Sequence, residues 1–195
     1  MVMAFEKVLY RSLWRGCCRA EKQEESEMKS FFGGVAATFA ALGIAGYVAA
    51  ATGFIPANAD AKPSTAERWF AKKALSAAVR RLAPKQPNPV AATDENLIAG
   101  IRLYKQNCAV CHGGADTNPS NIARGLYQRP PRFAKHGVEE DPAGETFWKV
   151  DHGIRLTGMP AFSPTLSPTQ VWQITAFLQQ MDRLPAAAQA VWKSP

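Results

Sequence analysis

The chain has 195 residues, 47% of them hydrophobic, and a formal charge of +7. That length fits one compact domain with extensions, or two small ones. Gly and Pro are scattered and the apolar share is ordinary, so collagen-like and wholly disordered chains are excluded. Four Cys are too few for a disulfide scaffold, and a single long uncharged run excludes a multi-span membrane protein. The positive charge is concentrated in residues 61–90, where Lys62, Arg68, Lys72, Lys73, Arg80, Arg81 and Lys85 face only Glu67. No reading motif accompanies this short basic segment, so no nucleic-acid partner is expected.

Residues 1–30 are polar and of mixed charge, with the pair Cys17-Cys18 and the acidic Glu24, Glu25 and Glu27. Nothing in them reads as a domain. Met28-Lys29-Ser30 ahead of an apolar run looks like the start of an export signal. Either translation begins at Met28, or the stretch is a short cytoplasmic tail.

From Phe31 to Ala59 no residue is charged, and Pro56 limits the expected helix to 31–55. At 1.5 Å per residue this spans roughly 38 Å, enough to cross a ~30 Å hydrocarbon core with tilt. A cleaved signal would use Ala57-Asn58-Ala59 as its site, but its apolar region would be only ~7–15 residues long. The length favours an uncleaved single-span anchor. The alternative is a soluble protein released by cleavage near Ala59.

Residues 64–83 read as a basic amphipathic helix opened by Ser64-x-x-Glu67. Ala71, Leu75, Ala78, Val79 and Leu82 share one face, and Lys72, Lys73, Ser76 and Arg80 lie opposite with Trp69. The helix either rests on anionic headgroups or packs on the neighbouring domain. Its charges follow the span, against the usual bias of positive charge toward the inside. Pro84, Pro87 and Pro89 make 84–92 a stiff linker.

Residues 93–184 are the candidate folded domain, and 185–195 read as a tail. Thr93 is placed to cap a helix to Asn107, with Asp94 and Glu95 in its first turn. Ser120 caps a short helix through Arg124. Asp141-Pro142 and Gly153 bracket a helix over 142–152. Ser167-Pro168-Thr169-Gln170 opens a last helix that ends at Leu184, before Pro185. No strand alternation stands out, so the expected fold is all-α. A domain this small is only marginally able to bury its own core, so something extra should help fill it.

That extra part is announced by Cys108-Ala109-Val110-Cys111-His112. At a helix end, Cys residues at this spacing reach the two vinyl groups of one haem and form thioethers. The adjacent His then sets its ring under the iron. A redox dithiol would sit in a βαβ setting, and a zinc site would need further paired ligands; neither pattern is present.

The segment from Thr93 to Leu184 resembles a class I c-type cytochrome. Gly100 and Tyr104 precede Cys108 at four-residue steps, as in the first helix of that family. The resemblance implies that Gly100 permits a close crossing with the last helix, with Tyr104 packed there against Trp172, Phe177 and Leu178. Gly158-Met159-Pro160-Ala161-Phe162 resembles the family's distal-ligand loop, which implies Met159 as the second axial ligand opposite His112. The uncharged anchor, the Trp-containing basic helix and this loop together look like small bacterial membrane-anchored monohaem cytochromes c. No Gly-Pro-x-Leu segment follows the haem motif, so the carbonyl that orients His112 comes from Pro119, Pro130 or Pro131.

His152 is the main rival to Met159. His136 reads as a solvated loop residue and Met181 as packed. Phe147, Trp148, Leu156 and Phe162 are candidate haem contacts, and Arg129, Arg132 and Arg155 are candidates to neutralise its propionates.

With both axial positions filled by protein the iron only exchanges an electron. The expectation is one covalent haem c, held by Cys108, Cys111, His112 and Met159, in an electron carrier rather than an enzyme. If Met159 is not a ligand, an open or weak sixth site would make a gas binder or a peroxidase-like enzyme. The resemblance implies a haem domain on the periplasmic side of a bacterial cytoplasmic membrane. It also implies as partner a dehydrogenase, a quinol-oxidising complex or a terminal oxidase.

Overall fold

The structure is a computed structural model that describes residues 3–115, Asn118, 120–135 and 137–194, with 3–26 described by backbone alone. Pro119, His136 and the side chains of Cys17 and Cys18 therefore lie outside it. The chain divides into two compact units, Met1–Pro56 and Ala57–Pro195.

The first unit is one helix, α1 (Met3–Ala51). It is longer at its start than the expected 31–55 and shorter at its end. Gly53, not Pro56, terminates it. Gly53 adopts φ 78°, and Phe54 N and Gly53 N donate back to the carbonyls of Ala49 (3.0 Å) and Ala50 (3.4 Å). This αL ending closes the helix before the proline acts. Within α1, Glu27–Ala51 is long and apolar enough to cross a membrane.

The second unit contains α2 (Thr65–Leu82), α3 (Asp94–Asn107), α4 (Ala109–His112), α5 (Asn121–Gly125), α6 (Ala143–His152), α7 (Pro168–Gln179) and α8 (Ala186–Lys193). The described residues form helices and turns, without strands. Local capping accounts for most starts. Ser64, Thr93, Ser120 and Ser167 each accept from a backbone N–H three residues on. At α7 the Gln170 side chain returns the bond to Ser167 N, completing the box. Asp141 does not cap α6; its carboxylate pairs with Lys149 at 3.2 Å and Pro142 takes the cap position.

The core forms where α3 and α7 cross. Leu97, Ile101, Tyr104, Ile174 and Phe177 are essentially inaccessible there. Gly100 sets the approach: a Cβ at that position would stand 2.2 Å from the Gln173 carbonyl oxygen. Tyr104 meets Phe177 edge-on at 5.3 Å. Trp172 does not join this crossing. Its ring stacks on Phe147 of α6 at 4.1 Å.

Two boundaries differ from the sequence reading. The last helix stops at Gln179 and tightens into a 3₁₀ turn over Met181–Arg183. Residues 185–195 are not a loose tail: α8 returns to the core, burying Ala188 and Trp192. Trp192 lies edge-on to Tyr104 at 5.6 Å, and Lys105 Nζ donates to the Val191 carbonyl at 2.9 Å. Half of the eight residues of α8 are alanine, the best helix former, and the helix gains a buried indole against the core.

Helix α2 packs on α6 by its Val79 edge. Val79 and Ala83 are buried, and Gly144 of α6 lies so close to the Pro84 carbonyl that a Cβ would be 1.8 Å from its oxygen. Ala71 and Leu82, placed on the apolar face by periodicity, are exposed.

Gly100→Ala is expected to destabilise the haem-loaded protein by about 1–3 kcal/mol through overpacking. The gain in helix propensity, up to about 1 kcal/mol, does not offset this. A lower denaturation midpoint checks it; an unchanged or higher one shows that the α3–α7 crossing tolerates a methyl group.

Candidate functional site

Cys108 ends α3 and begins α4. Its amide donates to Tyr104 O at 2.8 Å. Its own carbonyl accepts from Cys111 N (3.0 Å) and His112 N (2.9 Å). The three motif residues are therefore fixed on one helical turn. Tyr104 secures that turn from the core: its buried hydroxyl donates to the Gly113 carbonyl at 2.9 Å. Burial holds this phenol well above its ordinary pKa, so it stays a donor.

Neither cysteine is in a disulfide. Burial, reinforced by Cys111, pushes the Cys108 thiol up to about 12. A thiol raised in this way supplies little of the free thiolate that redox-dithiol chemistry uses. Among the described residues, no group of three His, Cys, Asp or Glu converges as a metal set. Cys108, Cys111 and His112 share a turn without meeting at a point.

His112 is buried, and its Nδ1 lies 2.8 Å from the Pro131 carbonyl. A carbonyl only accepts, so Nδ1 carries the hydrogen and Nε2 keeps its lone pair. Burial lowers the imidazole pKa, and the bond to Pro131 only partly opposes this. A neutral, oriented imidazole with a free Nε2 is what an iron ligand requires. Of the two described candidates, Pro130 and Pro131, it is the Pro131 carbonyl that bonds to His112. Phe133, which the sequence reading missed, stacks on the imidazole at 4.4 Å and 11°. No local spacing marks Phe133; only the return of the chain past α4 brings it there.

Met159 lies in the loop between α6 and α7, half-buried. Its backbone is held on both sides, the carbonyl accepting from Ile154 N (3.2 Å) and the amide donating to Thr157 Oγ1 (3.1 Å). Gly153, at φ 66°, lets the loop fold back, and its position leaves no room for a Cβ beside Pro160. Gly158 abuts Leu126, which directly follows α5, and α5 packs on α4. The Met159 loop is thus joined by packing to the motif turn. Leu156 sits in the same loop at φ 61° and is 91% exposed.

His152 is placed differently. Its side chain is 54% exposed, paired with Asp151 at 3.3 Å and stacked on Trp148 at 4.9 Å. Trp148 and Phe147 are thus each engaged with another ring. Phe162 is half-buried. Met181 packs against the core. Arg129 and Arg155 are exposed, whereas Arg132 is half-buried with a fully buried Nε that has no hydrogen-bond partner among the described residues.

These residues fit a haem. The Cys108 thiol is kept protonated one turn from Cys111, the imidazole is neutral and aimed, and an arginine donor beside Pro131 has no partner among the described residues and is open to an anionic group. Residues 95–178 match the family described as cytochrome c oxidase, cbb3-type, subunit III. The match, the fold and this site together support a class I c-type cytochrome domain over these residues, whose cofactor is covalently bound haem c. Two relatives support the same class. Quinohemoprotein alcohol dehydrogenase ADH IIB of Pseudomonas putida is 32% identical over 49% of this chain and 13% of its own length. The cbb3-type cytochrome c oxidase subunit FixP of Rhizobium meliloti (strain 1021) is 28% identical over 45% of this chain and 31% of its own. The chain thus spans less than a third of each relative.

Replacing both Cys108 and Cys111 by Ser is expected to abolish haem staining on a denaturing gel; retained stain would show attachment elsewhere. Tyr104→Phe leaves the Gly113 carbonyl without its buried donor and is expected to cost about 1–3 kcal/mol, read as a lower unfolding midpoint with haem still attached.

Proposed function

We propose that residues 93–184 hold one haem c through thioethers from Cys108 and Cys111, with His112 and Met159 as axial ligands. In this reading the protein is an electron carrier and not an enzyme. The observation that carries it is the buried, neutral His112, fixed by Pro131 on a C-x-x-C-H turn. The bound haem supplies a one-electron Fe(III)/Fe(II) couple. His112 offers Nε2 without an added charge. Met159 offers an uncharged thioether from a loop whose backbone is already pinned, and this favours the reduced iron and a relatively high potential. Arg132 balances a propionate. The exposure of His152 and its engagement with Asp151 and Trp148 argue against it as the distal ligand.

The domain boundaries proposed are an anchor at 31–55, a basic helix at 64–83, a linker at 84–92 and the haem domain from 93, with 1–30 contributing no domain. The haem domain stands on the periplasmic side of a bacterial cytoplasmic membrane, because haem of this type is attached after export. One relative is named as an oxidase subunit and another as a dehydrogenase. A terminal oxidase, a dehydrogenase or a quinol-oxidising complex is accordingly the proposed class of partner. Recovery of a mature N-terminus at Asp60 would replace the anchor by a cleaved signal.

Met159→Ala is expected to keep the haem attached, lower the reduction potential and let the reduced iron bind carbon monoxide at neutral pH. His152→Ala should leave all three unchanged. The reverse pattern makes the iron bis-histidine and removes Met159 from the site. Carbon monoxide binding by the unaltered protein would indicate an open sixth position, and with it a gas binder or a peroxidase-like enzyme.

A further inference from the structure

Helix α2 uses one edge to pack on α6 and leaves the opposite face free. At 100° per residue, Trp69, Arg80, Lys73, Ala77, Phe70 and Arg81 fall within an arc of about 120°, opposite Leu75 and Val79. All six are exposed, Trp69 by 63% and Phe70 by 68%. Two neighbouring aromatic rings in water are costly, and such patches mark contact surfaces. Among the described residues, no carboxylate lies within ion-pair distance of Lys73, Arg80 or Arg81. Glu67, the sole acid of the helix, is outside the arc and accepts from the Tyr127 hydroxyl at 2.7 Å, so it does not neutralise the face.

We propose that this face of α2 docks on the anionic headgroups of the membrane that α1 crosses, with Trp69 and Phe70 entering the interface and Lys73, Arg80 and Arg81 on lipid phosphates. The proposal rests on the anchor reading of α1. Aromatic side chains flanked by long basic ones suit the headgroup layer, where the rings sit at its apolar boundary and the cations stay wet. Chain length points to this occupant rather than to a protein. Only residues 52–64 separate α1 from α2, at most roughly 45 Å of extended chain. A lipid surface holding α1 is therefore present at high effective concentration, so weak affinity suffices. The basic charge after the span, which runs against the usual charge bias, then has a use.

The test uses the full haem-loaded chain with Cys17 and Cys18 replaced by Ser, in nanodiscs of phosphatidylcholine with or without phosphatidylglycerol. A spin label at A77C reports the face without removing either ring; a second at L42C reports α1. Covalent haem verifies folding of each variant. On anionic discs the label at 77 should be reached by oxygen in preference to a soluble nickel chelate, and high salt should weaken this. Each basic side chain near such a surface is worth about fivefold in partitioning. Lys73→Gln, Arg80→Gln and Arg81→Gln together should lower the docked-to-free ratio by about a hundredfold. Equal chelate access on neutral and anionic discs overturns the proposal. So does protection that ignores lipid charge and persists in detergent, which would mean that a protein covers the face. If the label at 42 is open to the chelate while that at 77 is protected on anionic discs alone, the anchor reading fails and the docking face stands.

Discussion

The close crossing of α3 on α7 is the constraint from which the haem site follows. The crossing has room only because position 100 carries no side chain, and a methyl group there would collide with a backbone carbonyl that cannot move aside. One turn on, Tyr104 fills the crossing with its ring and reaches out of it with its hydroxyl. That bond to Gly113 fixes the far end of the motif turn, while the amide of Cys108 fixes the near end. The position of the cysteines and of His112 is thus inherited from the core. α8 completes the same cluster, since without Trp192 one side of Tyr104 would face water.

The electrostatics of the site are those of groups kept uncharged. Burial raises the Tyr104 and Cys108 pKa values and lowers that of His112, so all three are neutral at pH 7. A neutral surround disfavours the extra charge of ferric iron. The buried, unpaired Arg132 Nε adjoins the residue that orients His112. Holding an unsatisfied donor there costs free energy unless an anion meets it, which is the role the proposed reading gives to a haem propionate.

The two faces of α2 serve different neighbours. Its Val79 edge and Pro84 close on α6, where Gly144 admits the backbone. Glu67, which could have completed a capping box, instead meets Tyr127, just beyond Leu126 on the route to the Met159 loop. A helix tied at both ends to the cytochrome fold, yet carrying bare aromatics and cations outward, is a firm platform for a surface contact.

What the sequence by itself determined is what depends on a few neighbouring residues. The serine and threonine caps, the length of the uncharged run, the glycine at the α3 crossing and the C-x-x-C-H turn all act through contacts within about one helical turn, or through one missing side chain. The αL stop at Gly53 is equally local and ends the helix ahead of Pro56, the breaker that the pattern points to. Tertiary structure decided the rest. Which proline carbonyl meets His112, that Phe133 stacks on it, that Trp172 turns to Phe147, and that the last residues return as α8 all join segments far apart in the chain. Asp141 shows the same limit at short range: its local signal was a cap, but Lys149, two turns along the adjacent helix, offered a charge and took the carboxylate. Pattern reports what each segment can do; packing chooses among those options because burying a ring or pairing a charge depends on what else arrives.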